Sequence, residues 1–352
     1  MPVRIANRYE ICLRDRGFAE DRITVGLVNN MPDGAIRSTE QQFVRLLGEA
    51  SNGINVDLTL LSISDVPRSE QAKSQLLRGY LDISDLWDSR VDALIVTGNE
   101  PRAPSLPQEP YWPMLTRVID WAENNTVSSI WACLAAHAAV LYLDGIGRHA
   151  FDAKLSGVFD CVKTGDHDIL KDAAGHWSVP HSRQYGLRRE ELEAKGYRAL
   201  TISSKAGVDI FLKQQRSLFI FFQGHLEYDS YSLFKEYIRD IGRYLSSERE
   251  TYPELPHGYF EQDTATVFAQ FRERALANRS PDLMSSLPLR EASDKLVNTW
   301  HSTATSIYRG WLRWIEERKA GREAGTDCLT SAPPPLEVEG CSQSQLRDRS
   351  DS

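Results

Sequence analysis

A chain of 352 residues, 41% hydrophobic and 26% charged, has the composition of a soluble globular protein and length enough for a sizeable core. Its net charge of −8 leaves no basic excess to pair with phosphates, which excludes nucleic acid and anionic membranes as partners but not a small anionic substrate. The five cysteines (Cys12, Cys133, Cys161, Cys328, Cys341) are odd in number and lack CxxC or Cys/His ligand spacing, so neither a disulfide framework nor a metal site is expected.

The first residues, MPVRIANRYEICLRDRGF, lack the continuous apolar run of a signal peptide, and the longest apolar run, residues 133–143, is too short to span a bilayer. A cytoplasmic protein is expected. Residues 23–28 (ITVGLV), 56–63 (VDLTLLSI), 93–96 (ALIV) and 128–132 (SSIWA) read as strands, mostly with the continuous apolar character of a parallel sheet covered on both faces. Helical patterns lie between them, at residues 38–47, where Ser38 and Thr39 offer caps, at 111–124, and at 134–143. The alternation predicts right-handed βαβ units, hence an α/β fold with one open, mostly parallel, doubly wound sheet. Residues 208–212 and 218–222 flank the polar turn KQQRS and read as a hairpin, followed by an amphipathic helix at 231–246. A tryptophan-bearing helical stretch covers 292–318, a C-terminal helical extension. From 321 to 352, Gly, Ser, Pro and charge dominate, and such a composition cannot bury enough surface to offset its ordering entropy, so a disordered tail is expected.

Chemistry concentrates at two strand ends. Cys133 stands where the strand SSIWA meets the helix LAAHAAVLYL. A residue at such a turn is exposed at the C-terminal edge of the sheet, the ligand side of these folds, near helix amides that favour a thiolate. Ala135 and Ala136 are small enough for a sharp turn. The competing reading of this segment alone is a buried structural cysteine, the commoner fate of a Cys among apolar residues. The run FIFFQGHLEYD then carries His225 and Glu227 just past a strand. A His-x-Glu pair alone is ordinary surface chemistry; combined with a strand-end cysteine it forms a nucleophile, a general base and a carboxylate that holds the base in one tautomer.

The pairing resembles the Cys-His-Glu triad of the class I glutamine amidotransferase-like superfamily, and the fuller resemblance is to the homoserine O-succinyltransferase family within it. Its landmarks run in order from residue 23 to 314: NNMPDGAIRSTEQQFVRLL, DALIVTG, YWP, SSIWACLAAHAAV, AKLSGVF, VPHSR, GHLEYD, EYIRD and NTW. The resemblance implies one acyltransferase domain over residues 1–320 that takes acyl-coenzyme A as co-substrate, with no bound cofactor, and acylates the hydroxyl of homoserine in methionine biosynthesis. It implies Cys133 as the acyl-thioester nucleophile, His225 as proton acceptor and Glu227 as its partner, with Lys154, Ser182 and Arg239 binding substrate. An arginine suits an amino-acid carboxylate, although Lys154 and Arg239 taken alone would read as solvated surface residues. The tetrahedral oxyanions need two donors, expected to be the amide of Leu134 and one from the Gly98–Asn99 turn; Gly98 equally reads as a plain turn glycine.

The chain departs from the family pattern in places. His137 replaces a glutamine one turn past the nucleophile, and the loop TGNEPRAPSLPQEPYWP differs from the expected TGAP type. The position that tunes the acyl donor in the resembled family falls on Arg102, whose cation favours succinyl over acetyl by pairing with the succinyl carboxylate; the alternative is that it points to solvent. A different hydroxy-amino acid such as serine, or a glutamine amidotransferase-like hydrolase, are the other readings, and the oligomer, with a homodimer in view, stays open.

Overall fold

The computed structural model of the protein describes residues 3–6 and 22–323. Of the tail expected over 321–352, residues 321–323 belong to the last helix, and the rest, with Cys12, Cys328 and Cys341, lies outside the described residues. Runs of β-branched and apolar residues build the centre of the main sheet, as expected. Its strands are β1 (Val3–Ile5), β2 (Arg22–Val28), β3 (Asn55–Ser62), the short β4 (Leu81–Asp82), β5 (Ala93–Val96) and β6 (Ser128–Ala132). Strands β7 (His149–Lys163) and β8 (His176–Gly186) leave it, and β9 (Arg198–Ala199) returns at its far edge. After β10 (Thr201–Ser203) and β11 (Gly207–Val208), β12 (Ile210–Gln214) and β13 (Leu218–Phe222) complete the set.

The main sheet has nine strands in the order β1-β3-β2-β5-β6-β13-β12-β9, with β4 beside β3. It is parallel from β1 to β13 and turns antiparallel at β12 and β9. The chain leaves β2 to one side for β3 and to the other for β5, and at such a reversal the carboxyl ends of the strands open a crevice. Helices α1 (Ile36–Ala50), α2 (Glu70–Gly79), α3 (Trp112–Asn125) and α4 (Leu134–Asp144) fill the crossovers. Downstream lie α5 (Arg189–Ala194), α6 (Ser232–Leu245), α7 (Gln262–Ala277), α8 (Leu289–Ser293) and α9 (His301–Glu323).

Two apolar layers sandwich the sheet. On one face Phe43 and Leu47 of α1 pack with Tyr308, Trp311 and Ile315 of α9. On the other, Leu115, Val118 and Ile119 of α3 pack with Ala135, Ala139 and Val140 of α4. Ser128 is tolerated in a fully buried strand because its hydroxyl donates to Leu218 O (2.8 Å) and accepts from Trp311 Nε1 (2.9 Å). No helix among the described residues is long and apolar enough to cross a membrane.

The structure corrects several boundaries. The expected hairpin strand 208–212 is two strands: β11 belongs to a second, antiparallel sheet of order β11-β10-β7-β8, and the chain passes to the main sheet at Asp209. The second sheet was not anticipated, because β7 is half exposed along most of its length and shows no continuous apolar run. The expected helix 292–318 is interrupted. Trp300 is fully buried and its Nε1 donates to Tyr228 O (2.9 Å), as does Asn298 Nδ2 (3.2 Å), so residues 294–300 are pinned out of helical register before α9 begins. Helix α7, also unanticipated, packs Phe268 and Phe271 against Phe234 and Ile241 of α6.

Candidate active site

Cys133 joins β6 to α4 with φ +51° and ψ −111°, one of three non-glycine residues with positive φ among the described residues. Such a backbone costs about 1–3 kcal/mol and persists only where its surroundings over-determine it. Here Cys133 N donates to Phe222 O (2.7 Å), while Cys133 O accepts from Ala136 N (3.0 Å) and His137 N (3.3 Å), starting the helix at once. Ala135 and Ala136 are buried under the turn, so larger side chains would not fit. The thiol itself is half-buried.

The partner strand supplies His225. Ala132 of β6 is in register with Phe222 of β13, so the two chains emerge from the sheet side by side. Three residues on, His225 is anchored by its own N–H to Pro180 O (2.8 Å), and its ring lies on Tyr228 with centroids 4.2 Å apart and planes 17° apart. Its Nδ1 is 2.8 Å from Glu227 Oε1. A carboxylate accepts only, so Nδ1 carries the proton and Nε2 is left for the sulfur. Burial works against a charged ring, but the Glu227 carboxylate, and then Cys133 as charge and hydrogen-bond partner, outweigh it and raise the His225 pKa well above the usual histidine range. Asp209, at the crossing between the sheets, fixes the approach: its Oδ1 accepts from Gly224 N (2.9 Å). Burial lifts the Asp209 carboxyl to about 6 despite that hydrogen bond.

Gly98 ends up against the turn that follows Cys133. A Cβ there would lie 2.8 Å from Leu134 N and 2.7 Å from its Cβ, a contact that real side chains do not make. Gly98 is therefore a close-approach glycine, and its absence of a side chain leaves the Leu134 amide, the first of α4, open to a ligand. Gly98→Ala is expected to lower kcat about 10²-fold or more by blocking or moving that donor, while the Tm falls by only a few degrees. Steady-state rates beside a thermal melt check this; unchanged kcat would remove Leu134 from the oxyanion role.

A cavity of about 450 Å³ collects these groups: Cys133, His225, Leu134, Gly98 and Asn99 line it, with Lys154, Ser182 and Arg239. At one end α6 presents Glu236, Arg239, Asp240 and Arg243, at helical spacing. Lys154 Nζ reaches Asp240 (2.8 Å) and Glu236 (3.3 Å), Arg239 Nη2 reaches Asp240 (3.1 Å), and Tyr228 OH (2.6 Å) and the Ser182 hydroxyl donate to Glu236. Burial alone would raise both acids; Lys154 and Arg239 override it and hold Glu236 and Asp240 below their ordinary values. Arg249 Nη1 also approaches Asp240 (3.6 Å), so two anions and three cations face one another, and the cluster offers both signs of charge to a zwitterion. Arg243 clamps Glu100 with both terminal nitrogens (2.9 and 3.0 Å) and ties α6 to the loop after β5.

Of the residues expected from sequence, all but Arg102 gather here, Glu227 through its bond to His225. Arg102 is exposed and lines an adjoining cavity of about 680 Å³ with Asp33, Gln42 and Lys235. Its backbone N–H and that of Ala103 donate to the buried Glu109 (2.6 and 2.7 Å), which shapes the loop and turns the side chain away. His137 is buried yet lines the Cys133 cavity, its Nε2 3.1 Å from Gln223 Oε1. Sequence reading missed Asp209, Glu236 and Asp240. The signal for the last two was present: acids at i and i+4 bracketing Arg239 on the helix expected at 231–246. Asp209 was an acid inside the apolar run GVDIFL.

The homoserine O-succinyltransferase family model matches residues 18–321. The homoserine O-succinyltransferase of Rhodopseudomonas palustris is 48% identical over 301 residues, covering 85% of this chain and 90% of that one. That of Bradyrhizobium japonicum is 44% identical over 296 residues, covering 84% and 90%. Among solved structures, a glutamine amidotransferase from Methylobacillus flagellatus aligns at 13% identity with a TM-score of 0.47, covering 84% of this chain and 96% of that one. With most of its length and its ordered sequence blocks matched, the chain belongs to the homoserine O-succinyltransferase family.

Proposed function

We propose that this protein moves a succinyl group from coenzyme A to the hydroxyl of L-homoserine, a step of methionine biosynthesis, through a thioester on Cys133. The observation that carries the reading is one cavity holding a strained strand-end cysteine, a carboxylate-held histidine and an ion-paired α6 cluster. In the first half-reaction Cys133 Sγ attacks the thioester carbonyl and its proton passes to His225 Nε2. The oxyanion lies at Leu134 N and an amide of the Gly98–Asn99 turn; as it collapses, the carbon–sulfur bond to coenzyme A breaks and the departing thiol takes the proton. In the second, the homoserine hydroxyl gives its proton to His225 Nε2 and attacks the acyl-enzyme; the thioester breaks and Cys133 recovers the proton. Glu227 keeps the ring oriented and stabilises its charged form in both.

The α6 cluster supports an α-amino acid as acceptor. The substrate ammonium matches Glu236 and Asp240, its carboxylate matches Lys154 and Arg239, and Ser182 positions Glu236. A cytoplasmic location fits a dependence on coenzyme A thioesters. Initial rates with both substrates varied test the scheme. Parallel double-reciprocal lines are expected; intersecting lines would overturn the covalent route, and ammonia release from glutamine in place of acyl transfer would support the hydrolase reading.

Arg239→Ala is expected to raise the KM for homoserine about 10–100-fold while single-turnover acylation of Cys133 stays near its wild-type rate. A slowed first half-reaction would place Arg239 on the donor instead.

A further inference from the structure

Every carboxylate lining the Cys133 cavity is already engaged: Glu100 by Arg243, Glu236 and Asp240 by Lys154 and Arg239. The cations are not all matched. Arg148 and Arg183 line the same cavity, and no ion pair to a carboxylate engages either among the described residues. Arg183 is buried and committed to the protein, its terminal nitrogens donating to Tyr185 O (2.7 Å) and Ala206 O (2.5 Å). Arg148 is half-buried, with its guanidinium 4.0 Å over the Tyr185 ring and no hydrogen bond to the protein. A guanidinium lying on an aromatic face keeps its N–H edge free for a planar anion.

His137 completes this end and adds no charge. Gln223 Nε2 donates to Val208 O (2.5 Å), so Gln223 Oε1 faces His137 and accepts a hydrogen bond from its Nε2–H, leaving Nδ1 a buried acceptor without a partner. Burial, then the two arginines, hold the ring down to about 3, neutral at physiological pH. The cavity is thus polarised. Along α6 each of the four cations, Lys154, Arg239, Arg243 and Arg249, has a carboxylate partner; by α4, one turn past Cys133, Arg148 has none among the described residues, and Arg183 feels only the buried Asp209, which does not line the cavity.

We infer that Arg148 seats the terminal carboxylate of the donor's acyl group, with Arg183 adding its buried charge, and that this end rather than Arg102 selects succinyl over acetyl. The inference rests on the acyl-transfer reading above. A four-carbon diacid attached to Cys133 must put its free carboxylate somewhere in the cavity; the α6 cations are already held by acids, and the Arg148 edge, with no carboxylate partner among the described residues, accepts it in two hydrogen bonds.

The experiment is kcat/KM for succinyl- and acetyl-coenzyme A with the full chain, for the wild type, Arg148→Met, Arg148→Lys and Arg102→Met. The wild type should prefer succinyl. In Arg148→Met the succinyl-to-acetyl ratio should fall about 10–100-fold, through the succinyl value, with part of it regained in Arg148→Lys and no change of ratio in Arg102→Met. A ratio untouched in Arg148→Met, equal slowing of both donors, a wild type preferring acetyl, or a ratio that shifts in Arg102→Met would each overturn the inference. A wild type that transfers neither acyl group would instead defeat the acyl-transfer reading itself.

Discussion

Cys133→Ala should lower turnover about 10⁴-fold or more and leave the protein folded. The loss is large because no other group can hold the acyl chain between half-reactions. Cys161, the other described cysteine, is fully buried, and burial pushes its thiol pKa far above the ordinary range, so it does not substitute. The fold should survive because the thiol is half-buried and the substitution keeps the Cβ and the backbone bond to Phe222. Rates measured beside circular dichroism and a thermal melt check both halves of the expectation. More than a few per cent of residual activity would remove Cys133 from the chemistry.

His225→Ala should cost about 10³–10⁴-fold in kcat, Glu227→Ala about 10²–10³-fold, and the double variant little more than His225→Ala alone. In the proposed cycle the Glu227 carboxylate acts through the ring, holding Nδ1 at 2.8 Å and favouring the charged imidazole that would form in each half-reaction. With the ring gone, the carboxylate has nothing to orient. Rates for all four forms test the coupling. Losses that multiply in full would mean that Glu227 acts elsewhere, on substrate or on the Tyr228–Trp300 contact beside it.

The centre of the fold and the clustering of Cys133, His225 and Glu227 are legible in the sequence for the same reason. Parallel strands buried on both faces read as continuous apolar runs, and the residues just past each run lie at the ligand edge, as Gly98, Cys133 and His225 do. The second sheet is not legible, because β7 and β8 are only half covered and their pattern is neither apolar nor cleanly alternating. The break at residues 294–300 is equally hidden: the stretch reads as a continuation of the flanking helical pattern, and the distant carbonyl of Tyr228, which takes Trp300 Nε1–H, lies outside any local signal. The polar part of the site shows the same limit. Asp209 acts through an amide fifteen residues away, and the role proposed for Arg148 rests on acids elsewhere in the cavity having partners while its guanidinium meets only the Tyr185 ring and no carboxylate among the described residues. Arg102 shows the converse: loop position alone suggests a donor contact, but the Glu109 carboxylate bends the loop so that the side chain faces the neighbouring cavity.

The covalent intermediate is the centre of the account, and intact-protein mass tests it most directly. The wild type, mixed with succinyl-coenzyme A without homoserine, should gain one succinyl group, peptide mapping should place it on Cys133, and homoserine should discharge it. An enzyme that turns over with both substrates but forms no adduct with the donor alone, or an adduct that maps to Cys161, would contradict the account.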